Sequence, residues 1–154
     1  GTFRRDPTPQ KGIFTGLPPS LMMEPMMWYF LTGILERHPG LKIVWVEPGL
    51  FWIPGFLRFL DRRMHQHYEF PGVKELPSTY WKRQMAVTFV DEPEAIDNRY
   101  ELGVENLLWS TDFPHPCCNW PNAQAKVAEM FKDMPDEETD KITWGNGARM
   151  YGFA

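Results

Sequence analysis

Three short apolar runs, each closing on an acidic residue and each followed by a helix-forming segment, restrict this chain more than any other feature. "LKIVWV" (41–46) ends at Glu47, "MAVTFV" (85–90) at Asp91 and "VENLLWST" (104–111) at Asp112. The first shows almost no polar–apolar alternation, which is how a strand covered on both faces reads. After the first run, "EPGLFWIPG" turns the chain and Phe56, Leu57, Leu60 and Met64 share one helical face. After the second, Pro93 opens "PEAIDNRYELG" and Gly103 closes it; after the third, the loop "FPHPCCNW" leads to Pro121 and "PNAQAKVAEMFKDM". An earlier segment, "PMMWYFLTGILERHPG", sets Met26, Met27, Phe30, Leu31, Ile34 and Leu35 at helical spacing from Pro25, and "DEETDKITWGNGARMYGF" is a last helical stretch.

Strands alternating with helices predict an α/β chain with a parallel sheet and right-handed crossovers. Three strands are few for a doubly wound sheet. A (β/α)8 barrel takes about 250 residues, so 154 residues hold only part of one. At 43% hydrophobic the chain can build a core as one domain.

Net charge is −4, and the 16 Lys and Arg are scattered apart from short clusters such as Arg58, Arg62 and Arg63, which argues against a nucleic-acid partner. Apolar runs break within about ten residues, well short of the roughly 20 that span a bilayer, so no membrane partner is expected. "GTFRRDPTPQKG" lacks the apolar segment of a signal peptide, and the only cysteines, Cys117 and Cys118, are neighbours without C-x-x-C spacing. The expectation is a soluble, cytoplasmic protein in a reducing compartment, with the cysteines as small hydrophobes. Met22, Met23, Met26 and Met27 are expected to pack in the core.

In parallel α/β proteins ligands bind at the carboxyl ends of the strands. Glu47, Asp91 and Asp112 would converge there, as carboxylates suited to a divalent metal or to general acid–base work. The competing reading is that strand-end acids cap the next helix, and it is preferred for Asp91, which precedes Pro93. Glu47 is evenly balanced. Asp112 is preferred as functional, because His115 follows three residues on in a long loop between Trp109 and Trp120. His65 and His67 form H-x-H, but at the polar end of a helix the two rings diverge and are expected to be solvated. His38, before Pro39, is placed to meet free carbonyls at a helix end.

"WSTDFPHPCCNWPNA", with "ILERHPGLKIVWVEPGLFWIPGFLRFLDRR", "PSTYWKRQMAVTFVDEPEAI" and "GNGARMYGF", resembles the C-terminal part of the amidohydrolase-related family that includes aminocarboxymuconate-semialdehyde decarboxylase. The resemblance runs from about residue 20 to 153. It implies a TIM-type (β/α)8 barrel, of which this chain carries strands six to eight with their helices as a single partial domain, 1–154. It implies a divalent metal, with zinc expected, held by histidines on earlier strands and by an aspartate on the eighth strand, which is Asp112 here. Asp112 would be both metal ligand and catalytic residue. Glu47 stands where many relatives carry a sixth-strand histidine, and so is assigned to substrate or to orienting a ligand, with His115 beside it. Trp52, Trp109 and Trp120 are candidates for lining the substrate pocket, with plain packing an equal alternative.

"GTFRRDP" looks like the loop after the fifth strand. The expected function is therefore the C-terminal portion of a metal-dependent enzyme that hydrolyses C–N or ester bonds or releases CO2 from a small-molecule substrate. It would be completed by an N-terminal half or a complementary chain, in an oligomer. The alternative is a non-catalytic barrel remnant that binds a small ligand or stabilises a partner.

Overall fold

The three apolar runs form one parallel sheet: β1 (Ile43–Trp45), β2 (Met85–Phe89) and β3 (Leu107–Trp109), in the order β1-β2-β3. The computed structural model describes residues 8–67, 70–115 and 118–153. Register is set by the pairs Trp45 with Val87 and Phe89 with Trp109. Met85, Ala86, Val87 and Phe89 of the central strand are essentially inaccessible, so this strand is covered on both faces.

Before the sheet come α1 (Pro9–Gly16), α2 (Pro18–Leu31) and α3 (Ile34–Arg37). The single helix expected from Pro25 onward is thus corrected. It starts seven residues earlier with Pro25 inside it, where burial of Met26 and Phe30 outweighs the intrahelical bond that proline cannot donate to the Leu21 carbonyl. It stops at Leu31 because Gly33 turns left-handed at φ 70°, and a Cβ there would lie 2.9 Å from the Gly72 carbonyl oxygen.

Helix α4 (Ile53–His67) buries Ile53, Leu57 and Leu60, beginning three residues before the expected Phe56. α1 and α5 (Pro77–Gln84) are helices that the sequence does not predict, since segments of eight residues are too short for a clear period. In α5, Tyr80, Trp81 and Gln84 are buried and deliver the chain straight into β2. The expected helix over 93–102 divides at Asn98 into α6 (Pro93–Asp97) and α7 (Arg99–Leu102). α8 (Ala123–Met130) starts two residues after Pro121, and the closing stretch runs α9 (Asp136–Asp140), a π-helical turn over Lys141–Gly145, and α10 (Asn146–Tyr151).

The methionines behave as expected: Met26 is fully buried, and Met22, Met23 and Met27 pack against the core. Two buried asparagines hold the entrance of β3. Asn106 donates to the carbonyls of Trp81, Lys82 and Met85, and Asn146 to those of Val104 and Leu107. Arg149 reaches the carboxylate and carbonyl of Glu105. The closing N-x-A-R pattern is therefore a clasp between the last helix and the sheet, and it explains why those polar residues stand in an otherwise packed region. Among the described residues, Ile13, Phe14, Leu21, Trp28, Val46 and Phe51 are more than 60% exposed, and no helix is long and apolar enough to cross a membrane.

Candidate active site

Glu47 and Asp112 are the two non-glycine residues, among those described, with a left-handed backbone, at φ 50° and 57°. Each lies just beyond the carboxyl end of a strand, where the chain leaves its hydrogen-bonded ladder. Asparagine and aspartate tolerate this conformation better than most residues, but for a glutamate it is uncommon and is held by its surroundings.

For Glu47 the surroundings are explicit. The Thr88 hydroxyl accepts from the Glu47 N–H at 2.9 Å and donates to Glu47 Oε1 at 2.8 Å. For Asp112, Ser110 Oγ accepts its N–H at 3.0 Å, and its carbonyl accepts the His115 N–H at 2.7 Å. The Phe113–Pro114 peptide inside that turn is cis, the arrangement of a type VI turn. The turn carries His115 back so that its Nδ1 lies 2.8 Å from Asp112 Oδ2. The aspartate side chain is 27% exposed and the histidine 62%, so the pair faces open space at the strand ends.

A third carboxylate, which no sequence signal singles out, lies with these two. Glu92 is half-buried and its Oε2 accepts the Leu50 N–H at 2.6 Å. It is the third residue beyond β2, as Asp112 is the third beyond β3, and Phe89 pairs with Trp109. Asp91 points elsewhere: its carboxylate pairs with Lys126 of α8 at 2.9 Å. The helix-cap reading of Asp91 is corrected too, since Glu92 occupies the cap position of α6 and makes no side-chain cap bond. The signal that could have separated the neighbours was the count from the strand end.

Burial is the main reason the Glu47 carboxyl is held above its ordinary 4.5; the Thr88 hydrogen bond opposes this, the charges of Asp112 and Glu92 add to it, and His115 lowers it. Glu92 is raised for the same leading reason, with the Leu50 amide opposing and Glu94 adding. Asp112 and His115 are therefore close enough to act on Glu47 electrostatically.

A raised carboxyl penalises folding once the unfolded chain ionises and the native one does not. The penalty is absent below about 4.5 and complete above the folded-state value. Glu47→Gln, which keeps an oxygen for Thr88, is expected to raise the thermal midpoint of the metal-free chain at neutral pH, with the gain vanishing below about pH 4.5. Melting curves across that range check it, and a gain that grows on acidification would contradict it.

The tryptophans differ. Trp52 is a core residue, its Nε1 bonded to the Pro48 carbonyl and its ring edge-on to Phe56. Trp109 is half-buried and donates to the Val90 carbonyl at the end of β2. Trp120 is 61% exposed and stands against Phe113, ring centres 5.5 Å apart, beside the Asp112 turn. A cavity of about 280 Å³ next to it is lined by residues including Cys118, Asn119 and Lys126, not by Asp112 or Glu47. His38 caps α3 through its backbone, donating its N–H to the Ile34 carbonyl. The side chains of His65 and His67, Cys117, and the residues of "GTFRRDP" lie outside the described set.

Carboxylates and an imidazole are the donors that a divalent cation takes. Among the described residues, however, no group of three His, Cys, Asp or Glu is placed to hold a metal. These residues alone do not compose a metal shell.

A family model of amidohydrolases matches residues 15–153. The chain belongs to the amidohydrolase family. No curated protein matches it. The fold of this amidohydrolase is similar to that of 5-carboxyvanillate decarboxylase from Sphingomonas paucimobilis, with TM-score 0.69 and 25% identity over 84% of this chain and 39% of that one. It is similar to an amidohydrolase from Mycobacterium avium subsp. paratuberculosis K-10, with TM-score 0.78 and 20% identity over 96% and 36%. It is also similar to a dihydroxybenzoic acid decarboxylase from Polaromonas sp. JS666, solved with manganese and 2-nitroresorcinol, with TM-score 0.71 and 19% identity over 96% and 47%. The chain thus spans less than half the length of each of these structures.

Proposed function

We propose that this amidohydrolase is the C-terminal part, strands six to eight, of a metal-dependent (β/α)8 enzyme that decarboxylates a hydroxylated aromatic acid. One observation carries the reading: Glu47 and Asp112 are both held in left-handed backbone beyond the carboxyl ends of β1 and β3, the two parallel strands that flank β2, with His115 seated on Asp112. Ordinary loops have no need of that cost at two functional-type acids. Decarboxylation is preferred to hydrolysis because a 25% identical neighbour is a decarboxylase of an aromatic acid.

In the reaction a ring carbon exchanges its carboxylate, lost as CO2, for a proton. Asp112 is assigned to carry that proton on Oδ1 while His115 holds Oδ2. Glu47, whose carboxyl is raised above its ordinary value chiefly by burial, is assigned to a polar group of the substrate through Oε2. Trp120 and Phe113 offer an aromatic flank. A divalent cation would supply Lewis-acid stabilisation of the developing negative charge. Asp112 is its proposed ligand here, with histidines from strands outside this chain completing the set. The resemblance favours zinc and one neighbour carries manganese, so the metal is proposed as divalent only. The exposed apolar residues, Val46 and Phe51 among them, are the surface that the rest of the barrel would cover.

The test is elemental analysis of the full-length protein together with CO2 release from 5-carboxyvanillate and 2,6-dihydroxybenzoate. A stoichiometric divalent metal and turnover of one such acid are expected. A full-length protein with neither would sink the proposal and favour a remnant that binds a small ligand or supports a partner.

A further inference from the structure

We infer that Thr88 is a positioning residue, whose single hydroxyl sets both the backbone and the carboxylate of Glu47 at the strand ends. The inference rests on the proposed role of Glu47 in substrate binding. One oxygen makes two bonds to one residue: it accepts the Glu47 N–H at 2.9 Å and donates its own proton to Glu47 Oε1 at 2.8 Å. A hydroxyl is the smallest group that can do both, because it is donor and acceptor at once. The ring so closed ties the side chain of Glu47 to its own backbone, in the left-handed conformation that a glutamate seldom adopts unaided.

The anchor is rigid. Thr88 lies on the central strand, opposite Leu108 of β3 and next to Val87, which pairs with Trp45 of β1. Its branched Cβ further limits rotation of the hydroxyl. Three residues after Glu47, the Leu50 N–H is taken by Glu92, again from the segment following β2. The loop leaving β1 is therefore fastened at two points by β2 and its extension. With Oε1 committed to Thr88, Oε2 is the oxygen left to meet a substrate, and its direction is fixed by Thr88. Since the hydroxyl makes both bonds, valine preserves the shape and β-propensity of the site while removing those bonds, and serine retains them.

The experiment uses the full-length protein with Thr88→Val and Thr88→Ser, followed by CO2 release from 2,6-dihydroxybenzoate and by amide hydrogen exchange. Thr88→Val is expected to lower kcat/KM about 10- to 100-fold, the range for groups that orient a reacting residue, and Thr88→Ser to stay close to the parent. Protection of the Glu47 amide should fall in Thr88→Val and persist in Thr88→Ser, while the Val87 amide is unchanged in both. A general loosening of the sheet would instead expose Val87 as well, and that result overturns the inference. So does unchanged Glu47 protection in Thr88→Val. If the parent protein releases no CO2, the decarboxylase reading fails by itself, and the exchange result alone decides the role of Thr88.

Discussion

Asp112→Asn is expected to lower turnover by the complete enzyme about 10²- to 10⁴-fold, the usual weight of a group that moves a proton in the transition state. The substitution is nearly isosteric, and asparagine accepts the left-handed backbone at least as well as aspartate, so the turn with Ser110 and His115 should survive. What changes is chemistry. The amide has no charge to offer a cation and no proton to give to carbon, and if its nitrogen faces His115 Nδ1, two donors oppose each other across the present 2.8 Å. Metal content should fall with activity while the circular dichroism spectrum and melting temperature stay near the parent's. Retention of more than about a tenth of the parent's turnover would place the proton on another group.

Trp81→Ala should produce the largest loss of stability, about 3–5 kcal/mol, because a large ring in a closed core leaves a cavity that its neighbours only partly fill. Trp81 is fully buried, and its Nε1 donates to the Leu102 carbonyl at 2.7 Å, an acceptor that alanine would leave without this donor. At this chain length each kcal/mol lowers the midpoint by about 2–4 °C, so a fall of roughly 6–20 °C is expected. Trp81→Phe, which keeps most of the volume but not the N–H, should lose less. Denaturant titration of the three proteins measures the difference, and a drop for Trp81→Ala no greater than for Trp81→Phe would show that the site collapses readily. Since α5 runs directly into β2, the same variant should also loosen the strand that carries Thr88.

Much of this was legible one segment at a time. The runs at 41–46, 85–90 and 104–111 each contain a strand, and their parallel pairing follows from the helices between them. Boundaries moved wherever burial competed with a local signal. Pro25 and Pro121 both looked like helix starts, yet Pro25 lies inside α2 on the strength of Met26 and Phe30, and α8 begins only at Ala123. Val104, Glu105 and Asn106 read as strand but form a 3₁₀ turn, because Asn106 is drawn inward by three carbonyls.

The site shows the same division. Asp112 and Glu47 are singled out by their place after apolar strands and His115 by its spacing to Asp112, and the structure brings His115 onto Asp112. Asp91 and Glu92 are equivalent to any pattern read along the chain, because both are acids just beyond an apolar run. Only pairing with Lys126 on one side and the Leu50 amide on the other tells them apart.

Taken alone, the sequence determined the α/β alternation, the parallel sheet and the family, and it pointed to the strand ends as the candidate site. These depend on local periodicity and on motifs read within a few residues. Tertiary structure decided which acids face those ends, that Thr88 holds Glu47, and that the closing asparagine is a clasp. Each of those rests on contacts between residues about 40 positions apart, set by strand register, and a shift of one residue along a strand sends a side chain to the opposite face.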